Sequence, residues 1–106
     1  MSGQIKYLDD ANFTQEVAAG VTLVDFYADW CGPCRTIAPV IEKLAAVFSG
    51  EASIAKVDID NAQGVASSLG ITSIPTLILF KDGKEVERIV GVRDQQTLES
   101  LVRGVL

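Results

Sequence analysis

The sequence predicts an α/β fold: a central mixed five-stranded sheet flanked by four helices, with helices on both faces. Three observations carry that reading. Strand-like and helix-like apolar patterns alternate along the chain. The run "VTLVDFYA" (21–28) is almost continuously apolar, the mark of a strand covered on both faces. "TLILFK" and "KEVERIV" flank Asp82-Gly83, the two-residue signal of a hairpin.

The elements follow in order. "IKYL" (5–8) is a short strand. In "DANFTQEVAAG" Phe13, Val17 and Ala18 recur at helical spacing, with Asp10 expected as N-cap and Gly20 closing the helix. The strand at 21–28 comes next. From Pro33 or Cys34 to Phe48 a helix places Ile37, Val40, Ile41, Leu44 and Phe48 on one stripe. Pro39 lies inside it and is expected to kink it. "SIAKVDID" (53–60) is a strand, and a short helix over about 61–69 ends at Gly70. The hairpin strands cover 76–81 and 84–90. A last amphipathic helix carries Leu98, Leu101, Val102 and Val105, with Asp94 as N-cap. Strands separated by helices need crossovers, so the first three are expected to be parallel and the hairpin to add an antiparallel edge.

One domain over residues 1–106 fits the length, and 48% hydrophobic residues supply one core. The net charge of −5, with nine scattered Lys and Arg, argues against nucleic acid and against anionic lipid as partners. "MSGQIKYLDD" has no apolar segment of signal-peptide type, and the longest apolar stretch is broken by Asp25 and Asp29 and is too short to span a membrane. A cytoplasmic location is the default expectation.

The chain's only two cysteines, Cys31 and Cys34, stand in "ADWCGPCRT", directly after the predicted central strand. Ligand sites in open sheets of this kind form beyond the carboxyl ends of the strands. Three readings of the pair are open. A structural zinc site takes four ligands, and this chain offers two cysteines and no histidine, so a metal needs a partner chain or carboxylates to complete it. A purely structural bridge closing four residues returns only about 2 kcal/mol by chain entropy. A redox pair explains more of the local sequence. Residues three apart on a helical turn are close enough to bridge with little backbone movement. Cys31 falls at the helix N-terminus, where free N–H groups and the dipole favour a thiolate. Cys34 lies one turn inside, expected to be shielded where Cys31 is exposed, and is placed to resolve a mixed disulfide. Pro33 suits the first turn, where a missing N–H costs least. No cation stands between the cysteines, which leans toward a reductant; Arg35 partly offsets this.

The stretch "VDFYADWCGPCR", with "AKVDID", "ITSIPTLILFKDG" and "IVGV" in the same order, resembles the thioredoxin family, and the resemblance spans essentially the whole chain. It implies a thioredoxin fold and a general protein dithiol–disulfide reductant. It implies no bound cofactor, with electrons arriving from NADPH through a thioredoxin reductase. Its implied partners are that reductase and disulfide-containing protein substrates; a monomer is the default expectation, and the sequence carries no signal that decides it. It implies that Cys31 attacks, that Cys34 resolves, and that Pro75 is a cis-proline facing them. It makes Asp25 a buried acid beneath the site with Lys56 its neighbour. It makes Trp30, Gly32, Pro33, Ile74, Pro75 and Gly91 an apolar docking surface. Several have a plainer reading: Trp30 as half-buried core, Ile74-Pro75 as a strand-entry turn, Gly91 as a strand end, Lys56 as an exposed alternating position, Asp25 as a carboxylate satisfied locally. Tyr27 departs from the pattern, standing where the family usually carries a second tryptophan. Its ring is expected to pack by the site and its phenol to need a partner if buried. The rival functions are a disulfide oxidase or isomerase, and a binding subunit whose cysteines are incidental.

Overall fold

The computed structural model describes residues 4–106. Strands β1 (Ile5–Leu8), β2 (Val21–Tyr27), β3 (Ser53–Asp58), β4 (Thr76–Lys81) and β5 (Lys84–Val90) form one sheet in the order β1-β3-β2-β4-β5. β3 pairs in parallel with β1 and β2, while β4 is antiparallel to both β2 and β5. The sheet is therefore mixed and five-stranded, with β2 at its centre. Asp82 (φ 50°) and Gly83 (φ 84°) both take left-handed conformations, as a two-residue turn matching the strand twist requires.

Side chains alternate across a strand, so β2 feeds two cores. Val21 and Leu23 pack with Ile37, Ile41, Leu44 and Phe48 of α2 (Gly32–Val47, with Phe48 as C-cap) and with Leu98 and Val102 of α4 (Gln95–Arg103). Val24 and Phe26 pack on the other face with Phe13 and Val17 of α1 (Phe13–Val17) and Val65 of α3 (Gln63–Ser68). The Phe13 ring meets Phe80 edge-on at 5.5 Å between centroids. Asp94 caps α4 as expected, its Oδ1 accepting the Thr97 N–H at 2.9 Å.

Several boundaries move inward. β2 ends at Tyr27 and β3 at Asp58. Beyond β3 the Asn61 N–H bonds to the Asp58 carbonyl and the Asp60 N–H to its carboxylate, which turns the chain away from the sheet. The assignment of Asp10 as cap of the first helix is corrected. Asp9 and Asn12 close their own turn, Asp9 Oδ1 accepting from the Ala11 and Asn12 N–H groups and Asn12 Oδ1 accepting from the Asp9 N–H. The helix then starts only at Phe13, and Asn12 caps it without a side-chain hydrogen bond. The Asp10 carboxylate instead reaches across to α3, where it accepts the Gly64 N–H at 3.1 Å and the Val65 N–H at 2.8 Å. That helix has Ala62 at its N-cap, which offers no side-chain acceptor.

Candidate active site

The centre of the site is built where β2 ends and α2 begins. Cys31, in extended conformation, is the N-cap of α2, and Pro33 lies in its first turn. The two cysteines are joined by a disulfide with their Cα atoms 5.3 Å apart, inside the range an unstrained bridge needs. The Cys34 N–H points back at Cys31 Sγ, 3.2 Å away. An orphan donor of the first helical turn is thus aimed at the sulfur, and a thiolate there would be a far better acceptor than a disulfide sulfur.

Neither cysteine is openly exposed: Cys31 is 5% and Cys34 3% accessible. The expected contrast between an open and a shielded thiol is absent as an exposure difference. Position on the helix is what separates them. Both pack with Ala28, and Tyr27, Ile59 and Ile74 close over them. Phe26 pairs with Thr76, so the residues after β2 run beside those before β4. This sets Cys31 Sγ 3.9 Å from the Ile74 carbonyl oxygen. The Ile74–Pro75 bond is cis. Thr76 pairs with Val90, and the Gly91 N–H donates to the Pro75 carbonyl at 2.8 Å, with Gly91 at φ 99°. Ile74, Pro75 and Gly91 are thus joined at this end of β4, with Ile74 and Gly91 half-buried and Pro75 buried.

Trp30 is 67% exposed, which removes the reading of it as core. Its Nε1–H donates to Asp60 Oδ2 at 2.8 Å, which fixes the exposed ring. Gly32 and Pro33 are exposed beside it, and a Cβ on Gly32 would meet nothing within 4 Å. The Arg35 guanidinium donates to the Asp29 carbonyl at 2.7 Å. No local sequence signal marks Asp60. It becomes the partner of Trp30 because Tyr27 pairs with Asp58, so the turns after the two strands share one end of the sheet.

Asp25 alternates with Val21 and Leu23, so it faces the α2 side of β2. It is 1% accessible, and neither carboxylate oxygen has a hydrogen-bond partner among the described residues. The locally satisfied carboxylate is therefore not what is found. Burial pushes its pKa up from 3.8 to about 6, opposed by the charge of Lys56. Lys56 is Asp25's register partner on β3. It is half-buried, and its Nζ lies 4.3 Å from the centre of the Tyr27 ring. Tyr27 is half-buried too, and no hydrogen bond to its phenol is found among the described residues. Burial, and then the neighbouring Asp58 and Asp29 carboxylates, hold that phenol above its usual pKa. No cluster of three or more His, Cys, Asp or Glu able to hold a metal is found among the described residues.

Comparison with known proteins agrees with this geometry. The sequence model of the thioredoxin family matches residues 4–104. A thioredoxin of Chlamydia trachomatis serovar D is 48% identical over 98 residues, covering 92% of this chain and 95% of that one. One from Chlamydia muridarum is 49% identical over the same shares. One from Staphylococcus aureus is 48% identical over 93 residues, covering 88% of this chain and 89% of that one.

Proposed function

The chain belongs to the thioredoxin family, and from that premise we propose how its residues divide the work of a protein dithiol–disulfide oxidoreductase. It is a protein-disulfide reductase, and disulfide-containing proteins are its substrates. The observation that carries the reading is the Cys31–Cys34 bridge across the first turn of α2, with the Cys34 N–H aimed at Cys31 Sγ.

The Cys31 thiolate attacks one sulfur of a substrate disulfide. A Cys31–substrate bond forms, the substrate S–S bond breaks, and the released thiolate takes up a proton. The Cys34 thiol then loses its proton to Asp25, directly or through one water, and its sulfur attacks Cys31 Sγ. The Cys31–Cys34 bond forms, the Cys31–substrate bond breaks, and the second substrate sulfur leaves as a thiolate that takes up a proton from water or from Asp25. The substrate gains two electrons and two protons, and the protein pair is oxidised. Lys56 tunes Asp25 from the next strand. Trp30, Gly32, Pro33, Ile74, Pro75 and Gly91 form the surface on which the substrate segment docks. Its support is their shared place around Cys31 and the exposure of Trp30, Gly32 and Pro33.

The pair is recharged from NADPH by a thioredoxin reductase, with no cofactor bound to the chain itself. One domain over residues 1–106 carries the cycle as a cytoplasmic monomer, without nucleic acid or membrane as partner. No helix among the described residues is long and apolar enough to cross a membrane.

Turbidity of insulin under reduction tests the function. The expected result is precipitation faster than with dithiothreitol alone, and precipitation driven by NADPH with a thioredoxin reductase; the acceleration and the NADPH-driven reaction are both lost in Cys31→Ser. Full activity of a Cys31→Ser/Cys34→Ser protein would overturn it.

A further inference from the structure

Lys56 can place its ammonium in two ways. Asp25 is its register partner across β2 and β3, and Tyr27 lies two residues further along the same face of β2. A buried carboxylate without a hydrogen bond is the stronger electrostatic attractor, yet no Lys56–Asp25 ion pair forms among the described residues. The ammonium sits 4.3 Å from the Tyr27 ring centre instead. A cavity of about 340 Å³ opens there, lined by Tyr27 and Lys56 together with Tyr7, Asp58 and Asn61. In that position the ammonium keeps water while meeting an aromatic face; against Asp25 it would lose its water in the core.

We propose that Tyr27 is a positioning residue: its ring holds the Lys56 ammonium at the rim of the sheet and so keeps it out of direct contact with the Asp25 carboxyl. The reading rests on Asp25 serving as proton acceptor only for its kinetic consequence. An acid left without a partner stays protonated to higher pH, nearer the range where a thiol gives up its proton. The raised pKa of Asp25 is consistent with this. The other charged or titratable groups around Lys56 and Asp25 are Tyr7 and Asp9 from β1 and the turn after it, Asp58 from β3, Asp29 from the loop after β2, and the cysteine pair of α2. Of these, all but the cysteines are acids or phenols, and none supplies Asp25 with a second cation.

The test follows the Asp25 side-chain carboxyl carbon by NMR through a pH titration of the full-length protein. In Tyr27→Leu the released ammonium turns to Asp25, and the midpoint falls by about 1 pH unit or more. Tyr27→Phe, which keeps the ring, holds the parent midpoint. In a Lys56→Met background, Tyr27→Leu leaves the midpoint where Lys56→Met alone puts it. If Tyr27→Leu does not fold, Tyr27→Met serves in the same cycle. An unmoved midpoint in Tyr27→Leu overturns the proposal. So does an equal fall without Lys56, because the change would then be hydration of the core and not a moved ammonium. The pH profile of the Cys34 step is recorded on the same proteins. If the carbon midpoint moves and that profile does not, the positioning stands and Asp25's role as proton acceptor fails.

Discussion

Cys31 Sγ lies at the N-terminus of α2 and accepts the Cys34 N–H, while Cys34, equally covered, lies one turn further on. Brief iodoacetamide treatment of the reduced protein at neutral pH, read by peptide mass, should therefore label Cys31 predominantly. Predominant labelling of Cys34 would reverse the two roles. Asp25 yields a second prediction through linkage. Its folded pKa, about 6, lies above its ordinary 3.8, so the folded state holds the proton more tightly than the unfolded chain does. That contribution to stability is complete below the ordinary value and is lost as pH rises through the folded one. Relative to Asp25→Asn, the parent should lose about 2–3 kcal/mol between about pH 4 and pH 8, measured by denaturant titration. The same substitution should slow the Cys34 step in stopped-flow reduction and affect first attack by Cys31 less. A parent and variant whose stabilities run parallel across that window would show that the carboxyl is not held protonated by burial.

Among the elements, α3 depends on a residue that precedes it by more than fifty positions. Asp10 supplies both of its side-chain-capped N–H groups. Asp10→Ala should lower global stability by about 1 kcal/mol, and Asp10→Asn should recover most of it, again by denaturant titration. An Asp10→Ala protein as stable as the parent would mean that water serves α3 equally well. This cap also shows where sequence reasoning stops. The element order, the hairpin turn at Asp82-Gly83 and the cap at Asp94 are all local signals, and each lies where the pattern puts it. Asp10 has the right chemistry for a cap and the wrong helix, because the competing Asp9–Asn12 turn and the distant α3 are set by tertiary contact. The site divides in the same way. The cysteine spacing declares itself in nine residues. The Asp60 partner of Trp30 and the perch of Lys56 on Tyr27 join separate strands or the loops beyond them, and no periodicity reports such contacts. The near-equal cover of the two thiols was hidden for the same reason, since Ile59 and Ile74 come from later segments.

Across the whole molecule the surroundings of the cysteine pair lack an inserted cation. Gly32 and Pro33 fill the space between them, and the Arg35 guanidinium is turned to the Asp29 carbonyl. The thiolate form is then less stabilised than in the strongly oxidising relatives of this chemistry. The reduction potential, measured against a glutathione series, should fall well below about −180 mV, on the reductant side of the isomerases of oxidising compartments. A value above that would favour a disulfide oxidase or isomerase. The potential of Arg35→Ala tests the second half of the argument and should differ little from the parent.

The sheet order has a consequence for the chain during its own synthesis. β2 receives its antiparallel neighbour only from residues 76–81, and Cys31 meets the Ile74 wall across a separation of 43 residues. A nascent chain therefore displays both thiols long before the docking surface proposed for their targets is complete. Until β4 is made, Cys31 lacks the Ile74 carbonyl beside it and β2 lacks its antiparallel neighbour. A product truncated before the last third of the polypeptide would carry the cysteine motif without that proposed surface.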